Sequence, residues 1–120
     1  MIRKLISKLL HKEKEIFLYA DASYNKGFAS IGYIKSDLSE CKYKNVRANN
    51  VNDAELKAIE FAHEAYPNLR IGSDSEYAIN NTEGDYVFYV ERKHNLANFV
   101  ARSAAEMAKS KTIHDFSWLS

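Results

Sequence analysis

Apolar and polar positions divide the chain into segments with distinct patterns. Residues 16–20 form an apolar run rich in strand-forming residues that ends at Asp21, which predicts a buried strand. Turn-forming residues follow at 22–27, and the apolar positions of 28–35 predict a second strand paired with the first as a hairpin. A third strand is predicted near 40–47. The domain therefore begins with three antiparallel strands.

The rest of the chain alternates helical and strand patterns. Residues 53–66 consist mainly of helix formers with apolar positions at helical spacing, and Pro67 ends that helix. A short strand, a helical turn, another strand and an Ala-rich helix are predicted at 68–73, 74–79, 85–91 and 94–109. A helix between two strands of one sheet makes them parallel neighbours. The order predicts an α/β fold with a mixed five-stranded sheet, three strands antiparallel and two parallel, flanked by helices.

The beginning of the chain has a separate pattern. One helical face carries the apolar residues Ile2, Leu5, Ile6, Leu9 and Leu10. Basic residues occupy the other faces, so an extra amphipathic helix is predicted over 1–15, ahead of a domain at 16–120. We expect this helix to pack on the domain or on a second subunit. A contact with a partner or with nucleic acid, and a targeting or membrane-surface segment, are the alternatives.

Composition narrows the class of protein. The 120 residues, 46% of them hydrophobic, suffice for one compact core but not for two ordinary domains. With 17 basic and 16 acidic residues the net charge is +1, so any nucleic-acid binding must come from a local patch. A single cysteine, Cys41, which we interpret as an ordinary strand residue, excludes an internal disulfide. The lone cysteine suits a reducing compartment, so we expect a cytoplasmic protein. Because no apolar run is long enough to span a bilayer, we expect no integral membrane association.

Three acidic residues fall where predicted strands and helices end or begin. Asp21 follows the first strand, Glu55 lies in the first turn of the main helix, and Asp74 follows the fourth strand. Each alone is most simply a surface group or a helix cap. Together at one sheet edge they would repel one another, and a bound divalent cation is the usual means of offsetting that repulsion.

The segments around these acids resemble motifs of the type I ribonuclease H family. The three motifs are YADAS at 19–23, NDAEL at 52–56 and SDSEY at 73–77. The resemblance covers roughly 16–108. It implies a ribonuclease H-like fold and a metal-dependent endoribonuclease that cleaves the RNA strand of RNA/DNA hybrids. It further implies two Mg²⁺ ions, for which Mn²⁺ can substitute, and products with 5′-phosphate and 3′-hydroxyl ends.

The same resemblance assigns catalytic and metal-binding roles. Asp21, Glu55 and Asp74 match three of the family's carboxylates, and Asn98 stands where the family has a fourth, in Ala97-Asn98-Phe99-Val100-Ala101. An amide oxygen can bind Mg²⁺ but brings no negative charge. Three explanations remain open: a working enzyme with a weakened site, a degenerate relative that binds nucleic acid or a protein partner, or a substitution introduced into the natural sequence.

Contacts to the hybrid can be predicted from the same motifs. Asn52 matches the family's Asn and is the main candidate for recognising 2′-hydroxyl groups in the minor groove. The other substrate-binding candidates are Asn25, Glu76, Arg92 and Lys93. His94 lies near the place where the family often has a mobile His that assists product release. Each of these residues could equally be a turn or surface residue.

Overall fold

The computed structural model describes residues 15–114, with side chains to 109. The strands are β1 (Leu18–Asn25), β2 (Phe28–Lys35), β3 (Cys41–Arg47), β4 (Ile71–Ser73) and β5 (Val87–Tyr89). The helices are α1 (Val51–Ala65), α2 (Glu76–Asn80) and α3 (Ala97–His114), with a 3₁₀ turn at Arg92–His94. The predicted order of strands and helices is confirmed over this part of the chain.

The five strands form one mixed sheet in the order β3-β2-β1-β4-β5. The β1–β2 and β2–β3 pairs are antiparallel, whereas β1–β4 and β4–β5 are parallel. This is the sheet that the sequence predicts, three antiparallel strands followed by two parallel ones. Strand β1 lies at its centre, between the antiparallel and the parallel parts.

Strand β1 is longer than predicted. It runs on through Asp21 to Asn25, and its pairing with β2 continues without a break to Asn25 opposite Phe28. The hairpin turn is only Lys26 and Gly27, whose φ angles of 48° and 88° are both positive, as tight hairpins require. Asp21 therefore lies in the middle of a strand, not at its end.

Helices α1 and α3 cover opposite faces of the sheet. The ring of Tyr33 packs against Phe61 and Tyr66 on the α1 side, with centroids 5.1 and 6.0 Å away. A Cβ at the adjacent Gly32 would lie 2.8 Å from Val100 Cγ1 of α3. Because successive residues of a strand face opposite sides of the sheet, the two helices sandwich it. The face of α3 toward the sheet is buried through small residues, including Ala97, Ala101, Ala104 and Ala108.

The parallel pair at the centre of the sheet is short. Strand β1 pairs with β4 only at Leu18 and Tyr19, opposite Ile71 and Gly72. Beyond this point β1 continues while β4 ends at Ser73. On the β4 side Asp21 is thus left without a neighbouring strand, and side chains from other elements can enter the space there.

Helix α1 begins two residues earlier than predicted, at Val51. The side chain of Asn50 accepts a hydrogen bond of 2.8 Å from the Asp53 N–H, and the Asp53 carboxylate accepts one of 2.8 Å from the Asn49 N–H. This reciprocal cap satisfies donors that the helix cannot pair internally. Asn52 consequently belongs to the first helical turn.

The structure tests the predicted helices at the two ends of the chain to different extents. Helix α3 begins at Ala97, later than the predicted residue 94, because a 3₁₀ turn takes up 92–94. The predicted N-terminal helix over 1–15 falls almost wholly outside the described residues, so it stays a prediction.

Cys41 is an exposed residue of β3, in agreement with its assignment to a strand. None of the helices between 15 and 114 combines the length and hydropathy needed to cross a membrane.

Candidate metal centre

Three separate elements bring acidic side chains to the space beside β1. Asp21 comes from the middle of β1, Glu55 from the first turns of α1, and Asp74 from the residue after β4. One carboxylate oxygen of each lies within 4.8 Å of those of the other two. The distance between these residues along the chain is large, so the cluster exists only in the folded protein.

Two of these carboxylates are almost completely buried. Asp21 is 3% exposed and Glu55 is 7% exposed, while Asp74 is half-buried. Glu55 Oε1 accepts a hydrogen bond of 3.1 Å from the Ala22 N–H. Asp21 Oδ2 and Glu55 Oε2 are buried and, with both acids ionised, have no hydrogen-bond partner among the described residues; protonation lets the two side chains hydrogen-bond to each other.

Unpartnered buried oxygens are unfavourable unless something else binds them. Leaving a buried carboxylate oxygen without a partner costs roughly 1–3 kcal/mol or more. Carboxylate oxygens are also the ligands that Mg²⁺ and Ca²⁺ prefer. The donor set and its unpartnered atoms at Asp21 and Glu55 therefore fit a divalent cation.

The electrostatics of the cluster agree with this interpretation. Burial, with the nearby Asp74 carboxylate, raises the pKa of Asp21 to about 6. Burial, followed by the charge of Asp21, raises the pKa of Glu55 well above its ordinary value. Both shifts favour the protonated acids when no cation is present. A bound cation would expel these protons, since coordination requires the ionised form.

A fourth polar residue, Asn95, completes the cluster and was missed by the sequence analysis. It is 4% exposed and lies between the 3₁₀ turn and α3. Its Nδ2 group donates to the Ala20 carbonyl at 3.0 Å and to Asp74 Oδ2 at 3.4 Å. Its Oδ1 accepts from the Ala97 N–H at 3.1 Å. An Asn two residues before a helix is a capping signal that could have indicated it.

Asn98, which the resemblance assigns to the place of a fourth carboxylate, is the second residue of α3 and is half-buried. Its backbone N–H donates to the Asn95 carbonyl at 3.1 Å. Because the Asn95 side chain reaches Asp74, the first turn of α3 lies beside the acids. The assignment of Asn98 as a metal ligand remains a prediction.

The predicted substrate-binding residues are spread around this centre. Asn52 is exposed in the first turn of α1, three residues before Glu55 and thus on the same side of the helix. Glu76 is exposed at the first residue of α2. Asn25 is exposed at the end of β1, on the same strand face as Asp21 but about 13 Å along it.

The 3₁₀ turn carries the three remaining candidates, Arg92, Lys93 and His94, and all of them are exposed. The positive charge of Arg92 partly counteracts the rise in the pKa of Asp21, which places the guanidinium within electrostatic reach of the acids. Lys93 pairs with Glu91 at 3.5 Å on the surface, where such pairs contribute little to stability.

The structure thus combines a mixed sheet between two helices with a carboxylate cluster suited to a divalent cation beside the central strand. The sequence profile described as RNase H matches residues 13–118 of this chain. The chain therefore belongs to the ribonuclease H family and is by class a ribonuclease H. The resemblance that its three motifs carry is confirmed.

Solved structures agree on the fold. LC11-RNase H1 in complex with an RNA/DNA hybrid is 15% identical, with a TM-score of 0.65 over 78% of this chain and 98% of that chain. RNase H1 from the halophilic archaeon Halobacterium salinarum NRC-1 is 16% identical, with a TM-score of 0.64 over 77% and 98%. LC11-RNase H1 isolated from compost by a metagenomic approach is 15% identical, with a TM-score of 0.59 over 78% and 97%. No curated protein matches the sequence.

Proposed function

We propose that this protein is an endoribonuclease that cleaves the RNA strand of RNA/DNA hybrids with two Mg²⁺ ions, for which Mn²⁺ can substitute. The observation that carries the proposal is the meeting of Asp21, Glu55 and Asp74, with two buried oxygens that have no partner among the described residues. The structure of LC11-RNase H1 with an RNA/DNA hybrid supports the choice of substrate.

The acids would hold the ions. Asp21 would serve both ions, Glu55 and Asp74 would hold the ion that assists the leaving oxygen, and Asn98 would offer its amide oxygen to the ion that assists the water. The ions would supply a water of lowered pKa and would neutralise charge on the phosphate. Hydrolysis of the P–O3′ bond gives products with 5′-phosphate and 3′-hydroxyl ends.

Other residues of the chain would select and hold the hybrid. Asn52, exposed one turn before Glu55, can donate to or accept from 2′-hydroxyl groups, which DNA lacks. Asn25 and Glu76 would make further contacts to the hybrid, on either side of Asn52. Arg92 and Lys93 on the exposed 3₁₀ turn would meet backbone phosphates, which position the duplex without reading its sequence.

The exposed His94 would assist product release from its place on the same turn. An imidazole has ring nitrogens that can donate or accept a hydrogen bond, so it can contact a departing phosphate.

The test is cleavage of an RNA/DNA hybrid with labels at both ends of the RNA. Mg²⁺, Mn²⁺ and EDTA are compared, and RNA/RNA and DNA/DNA duplexes of the same sequence serve as substrate controls. We expect cation-dependent cleavage of the RNA in the hybrid alone, and mass spectrometry should find 5′-phosphate and 3′-hydroxyl ends. Cleavage in EDTA, or equal cleavage of the DNA duplex, would contradict the proposal.

A second candidate function is binding of nucleic acid or of a protein partner by a domain with little catalysis. The observation that favours it is Asn98, a neutral amide at the position where the resemblance implies a carboxylate. With one charge fewer, the ion beside the water would be held more weakly, and the rate would fall more than the affinity for hybrid.

Replacing Asn98 separates the two candidates. We expect Asn98→Asp to raise the cleavage rate at limiting Mg²⁺ by about tenfold, since a carboxylate is the better ligand. Asn80→Asp, at an exposed residue of α2, adds the same charge elsewhere and should leave the rate unchanged. If neither the unchanged protein nor Asn98→Asp cleaves the hybrid, while both bind it, the binding function is supported instead.

A further inference from the structure

We infer that Asn95 is a positioning residue, whose buried amide fixes the Asp74 carboxylate relative to β1 and so prepares the acid cluster to bind a cation. The inference rests on the proposed function, because it assigns Asn95 to the same centre. Asn95 contacts Asp74 from the segment that immediately precedes α3.

The contacts of Asn95 use all parts of its side chain. The Nδ2 group has two protons, and its two acceptors are the Ala20 carbonyl and Asp74 Oδ2. The Oδ1 atom accepts from the Ala97 N–H. If the Oδ1 and Nδ2 atoms of Asn95 were exchanged, Oδ1 would face two other acceptors, the Ala20 carbonyl and Asp74 Oδ2. Nδ2 would face another donor, the Ala97 N–H. The three partners therefore determine one orientation of the amide.

The positions of these partners connect three elements of the centre. Ala20 is the residue immediately before Asp21, so its carbonyl moves with the strand that carries that acid. Asp74 has left β4 and is no longer held by the sheet. The bond of 3.0 Å to Ala20 anchors the amide, and the contact of 3.4 Å reaches from that anchor to Asp74.

Burial makes this arrangement specific. Asn95 is 4% exposed, and an amide withdrawn from water costs free energy unless its hydrogen bonds are made inside the protein. Residues that orient the ligands of a metal typically change its affinity 10–100-fold when they are replaced. An Asn in this place adds no charge to a cluster that already contains three acids.

The test measures cation binding directly, by calorimetric titration with Mn²⁺ in the absence of nucleic acid. We expect Asn95→Ala and Asn95→Ser to weaken Mn²⁺ binding by about tenfold. The serine hydroxyl can still cap the Ala97 N–H but is too short to reach Asp74, so the Asn95→Ser variant separates the helix cap from the positioning role.

Two control variants are matched to these changes. Asn80→Ala removes an exposed Asn from α2 and should bind Mn²⁺ as the unchanged protein does. Ala104→Gly weakens α3 at a buried position away from the acids, so it should lower the melting temperature without changing Mn²⁺ affinity. Mn²⁺ affinity within twofold of the unchanged protein in Asn95→Ser would overturn the inference, whatever the affinity of Asn95→Ala, because the cap alone would then account for the role of Asn95.

A second measurement uses the unchanged protein, so it does not depend on whether the variants fold. In an NMR titration with Mg²⁺, we expect the two Nδ2 proton signals of Asn95 to shift and saturate together with the backbone signal of Asp74, while those of Asn80 stay in place. Absence of a shift at Asn95 would overturn the inference. Absence of any cation binding by the unchanged protein would instead overturn the proposed function, and the positioning role with it.

Discussion

The side chain of Asp21 lies between two other acids and behaves differently with and without a cation. It is buried, one of its oxygens has no partner among the described residues, and its pKa is raised to about 6 by burial and by Asp74. Without a cation this residue is a source of repulsion in the folded state. Under the proposed function it would become a ligand of the cation.

Replacing Asp21 by Asn should therefore affect stability and activity in opposite directions. We expect Asp21→Asn to raise the melting temperature in EDTA by about 4 °C, the shift that about 1 kcal/mol produces in a domain of this size. The same change should lower hybrid cleavage about 100-fold or more, because it removes charge that the ions require.

Thermal melting in EDTA and the hybrid cleavage assay check the two effects. Asp85→Asn, at an exposed acid outside the cluster, is the matched control and should change neither quantity appreciably. A melting temperature that is unchanged or lower in Asp21→Asn would show that repulsion among the acids is not significant.

At the level of helices and strands, the close approach of α3 to the sheet determines which part of the sheet the beginning of this helix lies against. A Cβ at Gly32 of β2 would meet Val100 Cγ1 at 2.8 Å and the Lys42 carbonyl at 3.3 Å. Gly32 pairs with Asp21 across the hairpin, so α3 crosses the sheet at the level of the acids. The absence of a side chain at Gly32 allows this close approach of α3 to the sheet.

Replacing Gly32 by Ala should push α3 away from the sheet. We expect Gly32→Ala to destabilise the protein by about 1–3 kcal/mol, the usual cost of overpacking. Denaturant unfolding measures this change, and adding Val100→Ala should recover part of it, because that change removes the atom in closest contact.

Gly27→Ala is the control for the Gly32 series. Gly27 has φ of 88°, and a methyl group added there would have no atom within 4 Å, so its replacement costs backbone strain alone. Val100→Ala should not relieve that strain. Equal recovery in the Gly27 and Gly32 backgrounds would show that the contact between α3 and β2 is not the cause.

For the whole molecule, the acid cluster links stability to pH and to the cation. The folded state keeps protons on Asp21 and Glu55 that the unfolded chain has already lost, because their pKa values are raised in the folded protein. Stability falls with pH wherever the folded state binds more protons than the unfolded state. This window begins near the ordinary carboxyl value of about 4 and extends through the raised pKa values.

We therefore expect the melting temperature in EDTA to fall as the pH rises from about 5 to about 8. With saturating Mg²⁺ this fall should become much smaller, because the cation takes the place of the protons and stabilises the folded state. Thermal melts across this range, with EDTA or with Mg²⁺, check both statements.

Asp21→Asn provides the control for the pH series, because it removes one titrating group and the repulsion that this group exerts on Glu55. Its melting temperature in EDTA should depend less on pH than that of the unchanged protein. A melting temperature that rises with pH over this range in the unchanged protein would contradict the arrangement of the cluster.

Local patterns were sufficient to predict much of this protein. The alternation of apolar residues determined the order of strands and helices, since each pattern reports which face of an element is buried. The motifs around Asp21, Glu55 and Asp74 indicated the family, and the structure brings these three acids together. Such features are encoded within a few neighbouring residues, so the sequence alone reveals them.

The tertiary structure decided the features that depend on residues far apart in the chain. Strand β1 continues past Asp21 because its partner β2 pairs with it as far as Phe28, whereas the polar residues 22–25 taken alone favour a turn. Asn95 gains its place from Ala20, 75 residues away, and no local pattern encodes that contact. The unpartnered oxygens of Asp21 and Glu55 likewise follow from burial by the assembled helices and strands, which is a property of the fold as a whole.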